Sequence, residues 1–238
     1  MSIDTETGPH AVKPITDFLT RFTPVQKSVS DPDNTTLTYD ILNWIHAPQT
    51  PPPAPNAIYG TLTVQRKQRQ ADILYHIQQQ TRIAGQPTHF NADVTCNPDD
   101  TLASWALHTY RTDNGGNPVP ISKLQENWTN NNGQIQSQDS AYTYRATHPV
   151  FSHWTIPHIL MRASLSLPTT FDMLEDLSTF RPNQTLATDS VTTLKTDTYN
   201  TYAQTGEGIL PIHYLLDDDH RPQLITFGLI AWALTDVV

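Results

Sequence analysis

The chain has 238 residues, with 14 Lys and Arg against 23 Asp and Glu, 10 His and a single Cys. A chain of this length can bury a sizeable core without disulfides or metals, and its net charge of −9 disfavours nucleic acids and anionic lipid headgroups as partners. No apolar run reaches the roughly 18 residues that span a bilayer, and the polar, proline-interrupted opening lacks the features of a signal peptide. That opening fits either a cytoplasmic protein or the mature part of an exported one, periplasmic or secreted, and we favour the second.

An N-terminal arm is predicted over residues 1–35, ahead of a single β-rich domain over residues 36–238. Within the arm, prolines surround one short apolar patch, Phe18, Leu19 and Phe22, which is typical of a single docked turn. Beyond Thr36, polar and apolar residues alternate to about residue 46, which indicates a half-buried strand. The prolines of residues 48–55 then predict an extended loop.

The rest of the domain is rich in Thr, Val, Ile, Tyr and Trp, in segments bounded by turn-forming residues. Strands are predicted at residues 57–66, 72–83, 88–96, 102–111, 121–129, 134–146, 191–204, 208–216 and 222–236. With the first strand, this gives about ten strands in meander order. The fold class predicted is mainly β, a long curved antiparallel sheet, or half-barrel, with one face toward solvent.

One amphipathic helix is predicted over residues 152–165, ahead of the last three strands. Its apolar residues recur at helical spacing, Pro157 fits the first turn, and Ser152 or Thr155 can cap it. Residues 171–177 permit either a short helical turn or a strand. The curved sheet is expected to wrap around the single helix.

A Gly-x-Leu-Pro-x-x-Tyr pattern closes the domain, formed by Gly208, Leu210, Pro211 and Tyr214. In this pattern and in strand order, most of the chain from Thr36 onward resembles the periplasmic lipoprotein carriers of the LolA and LppX type, although their diagnostic motifs are absent. The resemblance implies an exported bacterial protein that is not an enzyme. It also implies a concave apolar sheet face that holds an apolar or lipid-like ligand.

The candidates for contacting such a ligand are the large apolar side chains of the predicted concave face. They are Trp44, Tyr59, Leu62, Trp105, Leu107, Trp154, Leu160 and Met161. The alternative interpretation is that these residues fill a closed core against the helix, since aromatic and Met side chains at such spacing are usually buried. No cofactor is expected.

The ten histidines and the single cysteine are candidates for metal binding or nucleophilic chemistry. His148, His153 and His158 step by five residues, which places them about 140° apart on a helix, so they cannot share one metal ion there. No zinc or calcium motif occurs, so we expect no metal, and histidines that are solvated or cap a helix. Cys96 is expected to be buried and unreactive.

Two alternative functions stay open. His213, Tyr214 and Asp217 lie in and beside the last predicted hairpin, where a carboxylate could orient a histidine for a hydrolase or lyase. Trp and Tyr side chains on the solvated sheet face could instead serve an interaction domain for glycan or protein. A continuous apolar cavity beneath the helix would favour the carrier.

Overall fold

The protein is described by a computed structural model at residues 12, 15–43, 57–83, 86–113, 115–139, 141–162, 168–228 and 230–238. It is mainly β, with one large curved sheet, as the sequence predicts. The sheet has fifteen strands rather than about ten. They are β1 (Thr36–Asn43), β2 (Ile58–Arg69), β3 (Asp72–Ile83), β4 (Gln86–Cys96), β5 (Leu102–Arg111), β6 (Leu124–Asn131), β7 (Gln134–Ser137), β8 (Thr143–Arg145), β9 (Val150–Ser152), β10 (Phe171–Glu175), β11 (Thr179–Leu194), β12 (Asp197–Thr205), β13 (Ile212–Leu216), β14 (Pro222–Phe227) and β15 (Ile230–Val237).

Three of the five additional strands arise because predicted segments are split, and the other two are β9 and β10, which lie outside the ten predicted strands. Residues 191–204 are not one strand: β11 and β12 form a hairpin that turns at Lys195, whose φ is 56°. Residues 134–146 comprise β7 and β8, and residues 222–236 comprise β14 and β15. Residues 171–177, for which the sequence left two possibilities, contain the strand β10. Six strands therefore follow the helix, rather than three.

Strand order explains why the sheet curves back on itself. The order is β8-β7-β6-β5-β4-β3-β2-β1-β15-β14-β13-β12-β11-β10-β9, so β8 and β9 occupy opposite edges although they are consecutive in the chain. Only five residue steps separate Arg145 from Val150, and such a segment spans at most about 18 Å. The two edges of the sheet must therefore approach each other.

The concave face of the sheet holds the main core. On β1 the alternate residues Leu37, Tyr39 and Ile41 are buried there, and their neighbours point to the convex face. The same alternation continues on the adjoining strands, for example with Val64 and Ile77. Over β2 to β5 the convex face is polar and largely open to solvent.

A second, smaller core lies on the convex face of β13 to β15. The helix α1 (Thr16–Leu19) and its flanking residues bring Ile15, Phe18 and Phe22 against Leu215 and Leu224. The side-chain amide of Gln223 fastens this arm, because it accepts from the backbone N–H of Val25 (2.9 Å) and donates to the Val25 carbonyl (2.8 Å).

The second helix, α2 (Ile156–Met161), is shorter than the predicted 152–165 helix, of which residues 163–165 lie outside the described part. Its N-cap is Thr155, whose hydroxyl donates to the Ser152 carbonyl and not to the helix backbone. Four consecutive residues of α2, from Ile156 to Ile159, are buried. A helix buried on nearly every side is an interior element, and α2 lies within the concavity.

Candidate ligand-binding site inside the sheet

The segment of residues 153–162, which contains α2, connects two chemically different ends of the interior. At one end, Arg162 joins a buried group of charges, which we call the charged end. At the other end, His153 and Trp154 pack among aromatic rings, which we call the aromatic end. Between them, His158 presents a ring edge to Tyr75 with ring centroids 5.5 Å apart.

Four charged residues neutralise one another at the charged end. The Asp100 carboxylate is fully buried and contacts Arg66 Nε (3.4 Å) and Arg162 Nη2. It also accepts a hydrogen bond of 2.7 Å from the Tyr75 hydroxyl. Asp33 Oδ1 accepts from Arg66 Nη1 (3.0 Å) and Arg162 Nη1 (3.2 Å). Because two guanidinium groups pair with two carboxylates, the charged end carries no net charge.

Five rings make up the aromatic end: Phe90, His153, Trp154, Phe227 and Trp232. Trp154 lies 4.4 Å from both Phe90 and His153, measured between ring centroids, and Trp232 lies 4.8 Å from Phe227. Phe90 and Phe227 are half-buried, while His153 and both indoles are buried. The two phenylalanine rings are therefore the part of this end that a molecule outside the protein can contact.

Both ring nitrogens of His153 have polar neighbours. Its Nδ1 lies 3.2 Å from the backbone nitrogen of Asp176 and 3.4 Å from the Leu174 carbonyl oxygen, and its Nε2 lies 3.5 Å from Asp176 Oδ1. Burial lowers the pKa of His153 even though the carboxylates of Asp176 and Glu175 oppose this shift. The ring is therefore neutral near pH 7.

His158 is also neutral. Its Nε2 donates to the carbonyl of Thr35 (3.2 Å), and burial lowers its pKa to about 3. The expectation of solvated or capping histidines is therefore wrong for His153 and His158, because the segment 153–162 that carries them lies in the interior. His148 is one-third exposed and contacts Asp172 at 3.4 Å.

Five buried polar atoms around segment 153–162 have no hydrogen-bond partner in the described protein. They are Tyr39 Oη, Trp154 Nε1, His158 Nδ1, Arg162 Nε and Trp232 Nε1. Tyr39 belongs to this group because its ring lies 6.0 Å from that of Trp232. Nearly all buried polar atoms in proteins have a partner, so such a concentration around one segment marks the interior as unusual.

The residues that the sequence proposed for ligand contact occupy different positions. Trp105, Trp154 and Met161 are buried, as are Leu62 and Leu107, whereas Tyr59 and Leu160 are half-buried against the core. Trp44 lies outside the described residues. Burial and the Asp176 charge raise the pKa of Tyr59 to about 12, so its phenol is protonated.

Sequence reasoning missed Tyr39, Phe90, Phe227 and Trp232. Tyr39 belongs to the alternating apolar series of β1, so its inward direction was readable. The register Ile41↔Trp232, which brings the first and last strands together, was not. Without that pairing, no pattern in the sequence places Tyr39 beside Trp232.

The alternative catalytic residues are not brought together. The Tyr214 hydroxyl donates inside the sheet to Gln204 Oε1 (2.8 Å). His213 precedes it on β13 and so points to the opposite face. Asp217 Oδ2 instead accepts from Arg221 Nε (2.7 Å) and Gln223 Nε2 (2.6 Å). Each residue thus has its own surroundings, and no acid–base pair forms between them.

Within the described ranges, no group of three His, Cys, Asp or Glu residues could hold a metal ion. No helix among those residues is long and apolar enough to cross a bilayer. Cys96 is a buried free thiol.

Comparisons with known proteins bear on the fold. No protein-family profile and no curated protein matches the sequence. A β-barrel-like protein of the domain of unknown function DUF1849 from Brucella abortus has a similar structure, with a TM-score of 0.51 and 8% identity over 86% of this chain and 96% of that one. A DUF1089 family protein from Pseudomonas aeruginosa gives a TM-score of 0.40 with 11% identity over 71% and 90% of the two chains. The fold is thus that of a β-barrel-like domain built from one open curved sheet.

Proposed function

We propose that this protein binds, without catalysis, an apolar or lipid-like molecule at the aromatic end of the concavity. The observation that carries the proposal is the group of buried donors without a protein partner, Tyr39 Oη, Trp154 Nε1 and Trp232 Nε1, beside half-buried aromatic rings. Binding pockets commonly combine an apolar lining with a few polar groups that fix the orientation of the ligand.

The donors indicate the polar part of the ligand. Two indole N–H groups and a phenol are neutral donors, and a carbonyl or carboxylate oxygen is the matching acceptor. The rings of Phe90 and Phe227 would cover the apolar part, which gains about 25 cal/mol for each Å² removed from water. An acyl chain that ends in a carboxyl or ester group meets both requirements.

Two further observations support this choice. The β-barrel-like fold is compatible with a ligand inside the curved sheet, and the Gly208–Tyr214 pattern of the sequence resembles that of lipoprotein carriers. Export to a periplasm or to the cell exterior is part of the same proposal. The hydrolase or lyase alternative has no comparable support, since Tyr214 and Asp217 bind other residues and His213 points to the face opposite Tyr214.

A titration with cis-parinaric acid, a fatty acid that fluoresces in apolar surroundings, tests the proposal. Trp154→Phe and Trp232→Phe each remove one unpartnered donor and keep an aromatic ring. We expect each variant to weaken binding about fivefold to tenfold, because one hydrogen bond contributes about 1 kcal/mol.

Trp105→Phe is the matched control. Its indole already donates to the Leu177 carbonyl at 2.9 Å, so this variant should lose stability and keep its affinity for the probe. Absence of probe binding by the wild type, or equal weakening by all three substitutions, would overturn the proposal.

A further inference from the structure

A cleft of about 420 Å³ opens on the convex face at the β4–β5 end of the sheet, away from the interior site. Its polar lining residues are Gln80, Arg82, His89, Tyr110, Thr112 and Asp113. Small-molecule sites commonly have volumes of about 300–1,000 Å³, so the cleft is large enough for a ligand of a few rings.

One wall of the cleft is formed by residues 112, 113, 116 and 118. The Asp113 carboxylate accepts from the backbone N–H groups of Gly115 (2.8 Å) and Asn117 (2.9 Å), and a bridge pairs Thr112 with Pro118. These bonds order this wall of the cleft in the absence of a ligand. A preformed wall lowers the entropic cost of binding.

The floor of the cleft carries stacked rings. His89 and Tyr110 are direct cross-strand partners, and their rings stack 4.7 Å apart with planes inclined by 12°. The His108 ring also lies near Tyr110, with ring centroids 5.1 Å apart. The His89 Nε2 atom is also 3.3 Å from the Thr112 hydroxyl. Flat rings with polar edges are thus fixed at the base of the cleft.

The lining side chains determine the kind of ligand. Arg82 forms no ion pair with any described residue, and the negative charge of Asp113 balances it within the cleft. Amide, hydroxyl, imidazole and phenol groups provide donors and acceptors in similar number. We propose that this cleft binds a neutral oligosaccharide, whose hydroxyl groups both donate and accept hydrogen bonds and whose ring faces are apolar.

This site is separate from the proposed interior site. His89 points to the convex face, whereas its neighbour Phe90 points inward to Trp154. Failure of either proposal therefore leaves the other untouched, and variants of one site can serve as controls for the other.

The experiment is a set of titrations of the ¹⁵N-labelled protein with cellotetraose, chitotetraose, maltotetraose, xylotetraose and mannotetraose. We expect at least one tetrasaccharide to shift the amide signals of residues 109–113 and 115–117. We expect His89→Ala and Gln80→Ala to weaken its affinity at least about tenfold, the loss of one to two hydrogen bonds. His76→Ala is the matched control, because His76 lies on the same convex face but outside the cleft, paired with Asp93 at 2.7 Å.

The affinity of His76→Ala and of Trp154→Phe for the tetrasaccharide should equal that of the wild type. The proposal is overturned if none of the five sugars shifts the cleft amides. It is equally overturned if binding persists unchanged in both cleft variants, or if His76→Ala weakens it as much as they do.

Discussion

The indole of Trp105 donates a hydrogen bond of 2.9 Å to the carbonyl of Leu177, and so fastens β5 to the turn that follows β10. The same turn accepts at the Ser178 carbonyl from the Tyr144 hydroxyl of β8 (3.0 Å). These strands lie far apart in the order of the sheet. Side chains, rather than a continuous backbone ladder, therefore hold the curved sheet together across its two edges.

Trp105→Phe should destabilise the protein because it leaves the buried Leu177 carbonyl without its donor. We expect a loss of about 1–3 kcal/mol in the free energy of unfolding, measured by urea denaturation. Trp128→Phe is the comparison, since the Trp128 indole donates to Glu126 on its own strand. An equal effect of the two substitutions would contradict a closing role for Trp105.

Asp100→Ala should be among the most damaging single substitutions. It leaves Arg66 and Arg162 without the fully buried carboxylate that pairs with both, and breaking a buried ion pair costs about 3–5 kcal/mol. Asp236→Ala removes the exposed partner of Lys27 and should cost at most about 1 kcal/mol. Thermal and urea unfolding of the two variants measure the difference, and similar midpoints would show that the charged end contributes little.

Stability should fall in mild acid because of the buried histidines. Burial lowers the pKa of His158 to about 3 and also lowers that of His153, whereas in the unfolded chain a histidine titrates near pH 6.5, about its ordinary value. Below that pH the unfolded chain binds more protons than the folded one. The stabilising contribution is thus complete above about pH 6.5 and is lost as the pH falls.

For His158 alone the loss is about 1.4 kcal/mol per pH unit, or about 2 kcal/mol between pH 6.5 and pH 5. Urea unfolding at several pH values measures it. His158→Gln should flatten the profile in this range, whereas His76→Gln, at an exposed histidine, should leave it as in the wild type. A wild-type profile that is level from pH 7 to pH 5 would show that His158 is not buried in its neutral form.

Cys96 should resist thiol reagents until the protein unfolds. Burial, together with the nearby Asp100 charge, raises the pKa of its thiol well above the usual range, and only the thiolate reacts. Labelling by N-ethylmaleimide at pH 7 should be slow in the native state and complete in urea. Rapid stoichiometric labelling of the native protein would contradict the buried position of Cys96.

The local sequence pattern was sufficient to predict where several strands begin and end. β3 and β5 begin and end at the predicted residues 72–83 and 102–111, because alternating β-formers are bounded there by clear turn residues. The β11–β12 turn was missed because Lys195 adopts a positive φ that its residue type does not announce.

Contacts between residues that are far apart in the chain could not be predicted from the sequence. Arg66, Asp100 and Arg162 are separated by 34 and 62 positions, and only the folded sheet brings them into one buried cluster. The candidate ligand residues were predicted on the correct face where alternation was clear, as for Trp105. Trp232 and Tyr39 needed the pairing of the first and last strands, which no local pattern encodes.

Native mass spectrometry with added fatty acid tests the central claim most directly. The wild-type protein would be incubated with oleic acid and its bound stoichiometry compared with those of Trp154→Phe and Trp232→Phe. The account predicts a one-to-one complex for the wild type that is depleted in both variants and retained in Trp105→Phe. A wild-type spectrum that contains only the free chain would contradict it.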